Sequence, residues 1–252
     1  MDLTIVGCTG SLPGPDSPAS CYLVTAEQDG RTWRIVLDLG SGAFGALQRH
    51  TDPSDLDAVV LSHLHPDHCL DLTSLRVWRG HSPSRTDASL PVWAPAGGAE
   101  RMARAYGVRG PEELKGMEFH ELVDSVPFRV GPFVITPYAV LHPVPAFGLR
   151  VESGGRVLAY TGDTDTCPGL GPLMANADLV LSEASYLESD DADRGTHLTA
   201  RRAAEAAVEA SARRLMLTHI PPWHDHEESR TEAAEVWAQE VEIAVAGETY
   251  EV

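Results

Sequence analysis

Apolar residues along this chain fall mostly into short blocks set off by Gly, Pro, Ser and Asp. Blocks of that length read as buried strands, since a helix needs about ten residues to lay down an apolar stripe. Strands are expected over residues 4–6, 21–24 and 33–37, then a helix over 43–49 and a buried strand over 59–61. A polar, Pro- and Gly-rich stretch follows, with one helix expected over 99–106 and strands over 128–130, 133–138 and 149–151. The second half alternates: strands 157–160 and 179–181, helix 199–213, strand 215–217, helix 231–240 and a last strand near 242–245. Strand-rich halves with helices in each predict an α/β chain of two sheets packed face to face with helices outside. No internal repeat or long linker divides it, so one domain over residues 1–252 is expected.

The ends of the strands carry the chemistry. Four buried blocks each run into a residue that can bind a cation: Val59-Val-Leu-Ser into His63, Leu158-Ala-Tyr-Thr-Gly into Asp163, Leu179-Val-Leu-Ser into Glu183, and Leu215-Met-Leu-Thr into His219. A rigid sheet can gather such ends at one edge. The densest cluster is Ser62-His-Leu-His-Pro-Asp-His68. From an extended segment, His63 and His65 can share one ion, while Asp67 and His68 suit a second. His142 could complete the first site and His219 the second, with Asp163 shared. Imidazole with carboxylate suits zinc, and manganese or iron remain alternatives. Two such ions at ~3.5–4 Å can hold a hydroxide and polarise a phosphoryl oxygen.

Composition narrows the setting. Nothing approaches the ~18 apolar residues of a membrane span, and the start, Met1-Asp-Leu-Thr-Ile-Val6, reads as a strand rather than a signal peptide. Four cysteines (Cys8, Cys21, Cys69, Cys167) without paired spacing suit a reduced, cytoplasmic compartment. A formal charge of −18 disfavours nucleic acid as a partner. Arg76, Arg79 and Arg85 read as solvated surface.

The motif His63-x-His65-x-Asp67-His68, with His142, Gly162-Asp163 and His219, resembles the metallo-β-lactamase superfamily. The Gly-rich opening, Asp38-Leu-Gly-Ser-Gly42, Ser182-Glu-Ala-Ser185 and His197-Leu-Thr199 are similar to its ribonuclease Z and cyclic phosphodiesterase branch. Phrases such as "SHLHPDHCLDL" and "LTHIPPW" look close to an actinobacterial group linked to cyclic-nucleotide hydrolysis. The resemblance implies a four-layer αβ/βα sandwich with a dinuclear site at one edge of the sheets. It also implies that His197 protonates the leaving oxygen, that Asp67 orients the attacking hydroxide, and that Glu183 orients His197 or a ligand histidine.

Asp163 stands where the best-known β-lactam hydrolases carry cysteine, and His65 argues against the redox relatives. The expected substrate is a small phosphodiester, a 3′,5′-cyclic nucleotide, cut to the 5′-monophosphate; a homodimer is compatible with this. Ribonuclease Z is the nearest alternative, yet only about 20 positions separate His142 from Asp163, too few for a tRNA-gripping arm. Lactone and thioester hydrolases share the ligand set, and a non-catalytic nucleotide binder is a further alternative. Asp38 is expected either to support the histidine loop or to cap a helix. Ser17-Pro-Ala-Ser20 reads as a plain turn, Phe147 and Trp223 as packing residues, and His224 and His226 as part of a solvated loop. His50, His81 and His120 receive no role.

Overall fold

The computed structural model describes residues 1–84, 88–190 and 195–252. Two seven-stranded sheets dominate it. The first contains β1 (Asp2–Gly7), β2 (Cys21–Gln28), β3 (Arg31–Leu37), β4 (Ala58–Val60), β5 (Leu90–Ala94), β6 (Met117–Glu121) and β14 (Thr249–Glu251), in the order β14-β1-β2-β3-β4-β5-β6. The second runs β13-β12-β11-β10-β9-β8-β7 and is built from β7 (Phe128–Val130), β8 (Phe133–Ala139), β9 (Phe147–Ser153), β10 (Arg156–Tyr160), β11 (Leu179–Glu183), β12 (Leu215–Thr218) and β13 (Val241–Ile243). Strands β3 to β6 are parallel, as are β10 to β13.

Alternation along the strands explains the layering. On β3, Ile35 and Leu37 join Leu158, Leu179 and Leu181 in the core between the sheets. Val36 between them points outward, onto a layer holding Phe44 and Leu47 of α1 (Ala43–Leu47), Leu75 of α3 (Leu72–His81) and Met102 of α4 (Gly98–Tyr106). On the far side, Val180 and Leu217 pack under Leu173 of α5 (Leu170–Met174) and Ala203 and Ala207 of α6 (Ala200–Glu209). Because both faces of these strands are covered, their sequences read as unbroken apolar blocks. The result is the expected four-layer αβ/βα sandwich. No helix among the described residues is long and apolar enough to cross a membrane.

Several elements differ from the sequence reading. The stretch read as polar and irregular contains α3, β5 and β6; α5 and β14 were likewise not expected. Helix α3 is obscured by Arg79, which is buried and donates to the carbonyls of Gly116 and Ala88. This corrects the solvated arginine patch: Arg79 is internal, Arg76 lies over the Tyr106 ring, and Arg85 falls outside the described residues. The helix placed at 231–240 is α7 (His226–Ala234), because the Asp225 side chain accepts from Glu227 N–H and starts it earlier. Helix α6 starts where Thr199 caps it, and its expected run to 213 is cut short by Ser211, whose φ of 56° is left-handed.

Candidate metal centre

Ligands from both sheets meet beyond the carboxyl ends of β4, β8, β10 and β12, at the edge that usually holds the site in an open α/β sheet. Past β4 the chain stays extended through His65 (φ −69°, ψ 151°), then turns into the short helix α2 (Pro66–Cys69) carrying Asp67 and His68. Extension sets His63 and His65 on one ion-sized space; the helical turn swings Asp67 and His68 toward another. The tight fit of this loop needs Gly40, where a Cβ would stand 1.9 Å from the Asp67 carbonyl oxygen. His142 follows β8, Asp163 follows β10, and His219 follows β12 with a left-handed φ of 56°.

Two clusters result: His63, His65, His142 and Asp163, and Asp67, His68, Asp163 and His219. Four ligands at ~2.0–2.1 Å around a tetrahedral ion lie roughly 3.3 Å from one another. In the first cluster the spacings are 3.0 Å (His63 Nε2 to His65 Nδ1), 3.1 Å (His65 Nδ1 to His142 Nε2) and 3.6 Å (His63 Nε2 to Asp163 Oδ2). In the second, His68 Nε2 lies 3.1 Å from His219 Nε2, 3.4 Å from Asp67 Oδ2 and 3.2 Å from Asp163 Oδ1. Asp163 thus turns one oxygen to each cluster, and its Oδ1 is buried without a donor in bonding geometry. That orphaned oxygen fits a bridging ligand between two cations.

The opposite nitrogens of the histidines determine which lone pairs converge. His68 Nδ1–H donates to Asp38 Oδ2 at 2.7 Å, His142 Nδ1–H to the Thr196 carbonyl at 2.9 Å, and His219 Nδ1–H to Ser185 Oγ at 2.8 Å. His63 Nδ1 lies 3.1 Å from Ser62 Oγ. Each of these leaves Nε2 facing inward, whereas His65 presents Nδ1. Such partners fix the tautomer of metal-bound histidines. Burial holds His63, His65 and His142 below the usual imidazole range, in the neutral form a ligand needs. For His68, burial is outweighed by Asp163 and Asp38, which hold it well above that range. Ser62, Ser185 and the Thr196 carbonyl carry these supporting roles, and the Tyr160 hydroxyl donates to Asp38 Oδ2; none of the four was assigned a role from sequence. Asp38 supports the histidine loop, the first of its two expected roles.

His197 and Glu183 sit beside the clusters. His197 Nδ1–H donates to Glu183 Oε1 at 2.9 Å, and its ring centre is 5.5 Å from that of His142 and 5.6 Å from that of His219. Glu183 is fully buried and also accepts from Thr164 N–H (2.8 Å) and Ser185 N–H (3.1 Å). Glu183, His197 and His219 also lie close enough to hold an ion, with the carboxylate already accepting three hydrogen bonds. Burial would lower the pKa of His197, but the Glu183 carboxylate raises it to about 9.

The remaining sequence candidates lie outside both clusters. Trp223 is 64% exposed and His226 opens α7 on the surface. Phe147 packs against the inter-sheet core, and Ser17 Oγ accepts from Cys8 N–H within its turn. His120 stacks on Trp93.

Comparison with known proteins agrees with this architecture. Residues 33–220 match the family model described as the beta-lactamase superfamily domain. An uncharacterized protein of Mycobacterium tuberculosis (strain H37Rv) is 41% identical over 254 residues, covering 99% of this chain and 92% of that protein. The "Probable metallo-hydrolase YhfI" of Bacillus subtilis is 30% identical over the full length of both. The crystal structure of YhfI, a metallo-β-lactamase fold protein, superposes with a TM-score of 0.86 at 29% identity, covering 99% of each chain. The short form of human tRNase Z shares the fold, with a TM-score of 0.76 at 21% identity and 100% and 99% of the two chains covered. With its sheets, its histidine loop and its full-length relatives in agreement, the chain belongs to the metallo-β-lactamase superfamily.

Proposed function

We propose that this metallohydrolase is a dinuclear phosphodiesterase that opens a small diester, a 3′,5′-cyclic nucleotide, to the 5′-monophosphate. The observation that carries this reading is His197: it adjoins histidines of both clusters, is spoken for by neither, and is held through Nδ1 by Glu183. That arrangement leaves Nε2 to face substrate. One ion would be held by His63, His65 and His142, the other by Asp67, His68 and His219, with Asp163 between them. When bound, such a pair supplies Lewis acidity to the phosphoryl group and makes water acidic enough to be a nucleophile at neutral pH. The all-imidazole and carboxylate donor set favours zinc, with manganese or iron as alternatives.

The chain's own groups then handle protons. Asp67, itself a member of the second cluster, orients the attacking hydroxide. A P–O bond forms to that oxygen while the P–O3′ bond breaks. An O3′ alkoxide leaves poorly, so His197, whose pairing with Glu183 favours the protonated ring, donates a proton to it. Glu183 holds the ring orientation and stabilises the imidazolium.

Ribonuclease Z activity is the second reading, favoured by a Nocardia farcinica ribonuclease Z that is 25% identical over 299 residues. Between His142 and Asp163, however, the chain is taken up by β9 and β10, leaving no arm at that point to hold a folded tRNA. The deciding experiment measures turnover of 3′,5′-cyclic nucleotides, bis(4-nitrophenyl) phosphate, precursor tRNA, a lactone and a thioester by the zinc-loaded protein. A cyclic nucleotide should be turned over best; faster tRNA 3′ cleavage, or a preference for lactone or thioester, would overturn the assignment.

A further inference from the structure

One histidine from each cluster depends on the same carboxylate. Asp38, fully buried and in the left-handed region (φ 57°), accepts Ser62 N–H on Oδ1 at 2.6 Å. On Oδ2 it accepts the Ser62 hydroxyl, His68 Nδ1–H and the Tyr160 hydroxyl, each at 2.7 Å. His68 of the second cluster is therefore held directly. His63 of the first is held only through Ser62, whose Oγ lies 3.1 Å from His63 Nδ1.

The direction of that last bond follows from proton counting. A serine hydroxyl has one proton, and Ser62 gives it to Asp38. Toward His63 it can only accept, so His63 must carry its proton on Nδ1 and turn the Nε2 lone pair inward. Without the hydroxyl, a wholly buried Nδ1–H would have no acceptor there, and the ring would lose both its fixed tautomer and its fixed rotation. Asp38, in contrast, would keep Tyr160, which reaches it from β10 on the opposite sheet, together with His68 and Ser62 N–H. The support of the second cluster survives.

We infer that Ser62 is a positioning residue for the first cluster alone: it relays Asp38 to His63 and so sets metal affinity at the His63–His65–His142 site while leaving the His68–His219 site nearly untouched. The inference rests on reading both clusters as metal sites. Losing a partner that orients a ligand histidine typically lowers metal affinity ~10–100-fold.

The test uses zinc itself and needs no turnover. In a His219→Ala background, where the first cluster remains whole, Ser62→Ala should weaken zinc binding ~10–100-fold in competition with a chromogenic chelator. In a His142→Ala background, where the second cluster remains whole, the same substitution should change affinity by less than about threefold, since the direct Asp38–His68 bond persists. General loosening of the fold would weaken both alike. Imidazole ¹⁵N shifts of the zinc-free His219→Ala protein should also show the His63 proton leaving Nδ1 when Ser62 is replaced. Should Ser62→Ala fail to fold, Ser62→Cys, of similar size but a weaker hydrogen-bonding group, should give the same selective loss in smaller measure. Equal losses in both backgrounds, or no loss in the first, would overturn the role of Ser62 with the metal sites intact. Failure of the unsubstituted chain to bind zinc would overturn the metal reading, and this inference with it.

Discussion

Replacing His197 by alanine separates proton donation from metal binding. Its Nδ1 bond to Glu183 is one of three that the carboxylate accepts, so Thr164 N–H and Ser185 N–H still hold Glu183 in place. Asp163 and His219 therefore keep their positions, and both ions should remain bound. What disappears, on the proposed mechanism, is the proton donor to the leaving oxygen. Loss of a general acid costs about 10²–10⁴ in rate, or about 3–5 kcal/mol of barrier at ~1.36 kcal/mol per tenfold. The full loss should appear with a 3′,5′-cyclic nucleotide, whose leaving O3′ is a sugar alkoxide. With bis(4-nitrophenyl) phosphate, whose leaving group departs as a stable anion, the loss should shrink to less than about tenfold. The assay is kcat on both substrates, with elemental analysis of wild type and variant. Equal losses on the two substrates, or loss of metal, would show that His197 holds the structure rather than a proton.

Glu183→Gln should remove the larger of the two charges that raise His197, leaving burial opposed only by Asp163, and the imidazole pKa should fall from about 9. Because the folded value is the raised one, the stability from this pair in the metal-free protein is complete below pH ~6.5 and is lost as pH rises through about 9. NMR titration of His197 and denaturant unfolding at pH 6 and 10 check both statements; a pKa unmoved by the substitution refutes them. Gly40→Ala drives a methyl into the Asp67 carbonyl oxygen and should cost about 1–3 kcal/mol together with some metal affinity, read by urea unfolding and chelator competition. Chelation should lower the melting temperature, since each cluster draws ligands from both sheets; zinc at 100 times its Kd contributes ~2.7 kcal/mol per site. Unchanged melting after zinc removal would refute the clamp.

The metal clusters were legible because their signal is local twice over. His63 to His68 are nearly contiguous, and the distant ligands each end an apolar block: parallel pairing carries Asp163 and His219 to one edge, and two successive antiparallel pairings return His142 to it. The supporting residues were not legible, because their roles depend on register and layer. Tyr160 ends an ordinary apolar strand, and nothing in Leu158-Ala-Tyr places its hydroxyl on Asp38, 122 residues earlier and in the other sheet. Ser185 reads as one more small residue until His219, 34 residues on, donates to it. Helix α3 was hidden for a related reason: an arginine on its buried face interrupts the apolar stripe, and only the carbonyls of Gly116 and Ala88 explain why it can be there.

Charge distribution links the acidic surface to the choice of substrate. Four carboxylates are buried at the centre: Asp38, Asp67, Asp163 and Glu183. Glu183 is matched by His197, which leaves three negative charges to be met by two divalent ions on the proposed reading. With the attacking hydroxide counted the centre is close to neutral as a whole, its positive charge concentrated on the ions, inside a chain whose formal charge is −18. At physiological ionic strength fields fade over ~8 Å. A mononucleotide that reaches the strand ends lies mostly within that distance of the ions, so the local positive charge decides its binding. A folded RNA spans several such lengths, and most of its phosphates would face a chain of net negative charge. The same net charge that disfavours a polyanion therefore leaves a small diester monoanion almost unopposed. On the proposed reading, size acting through screening would be a selection rule that the metal ligands alone do not supply.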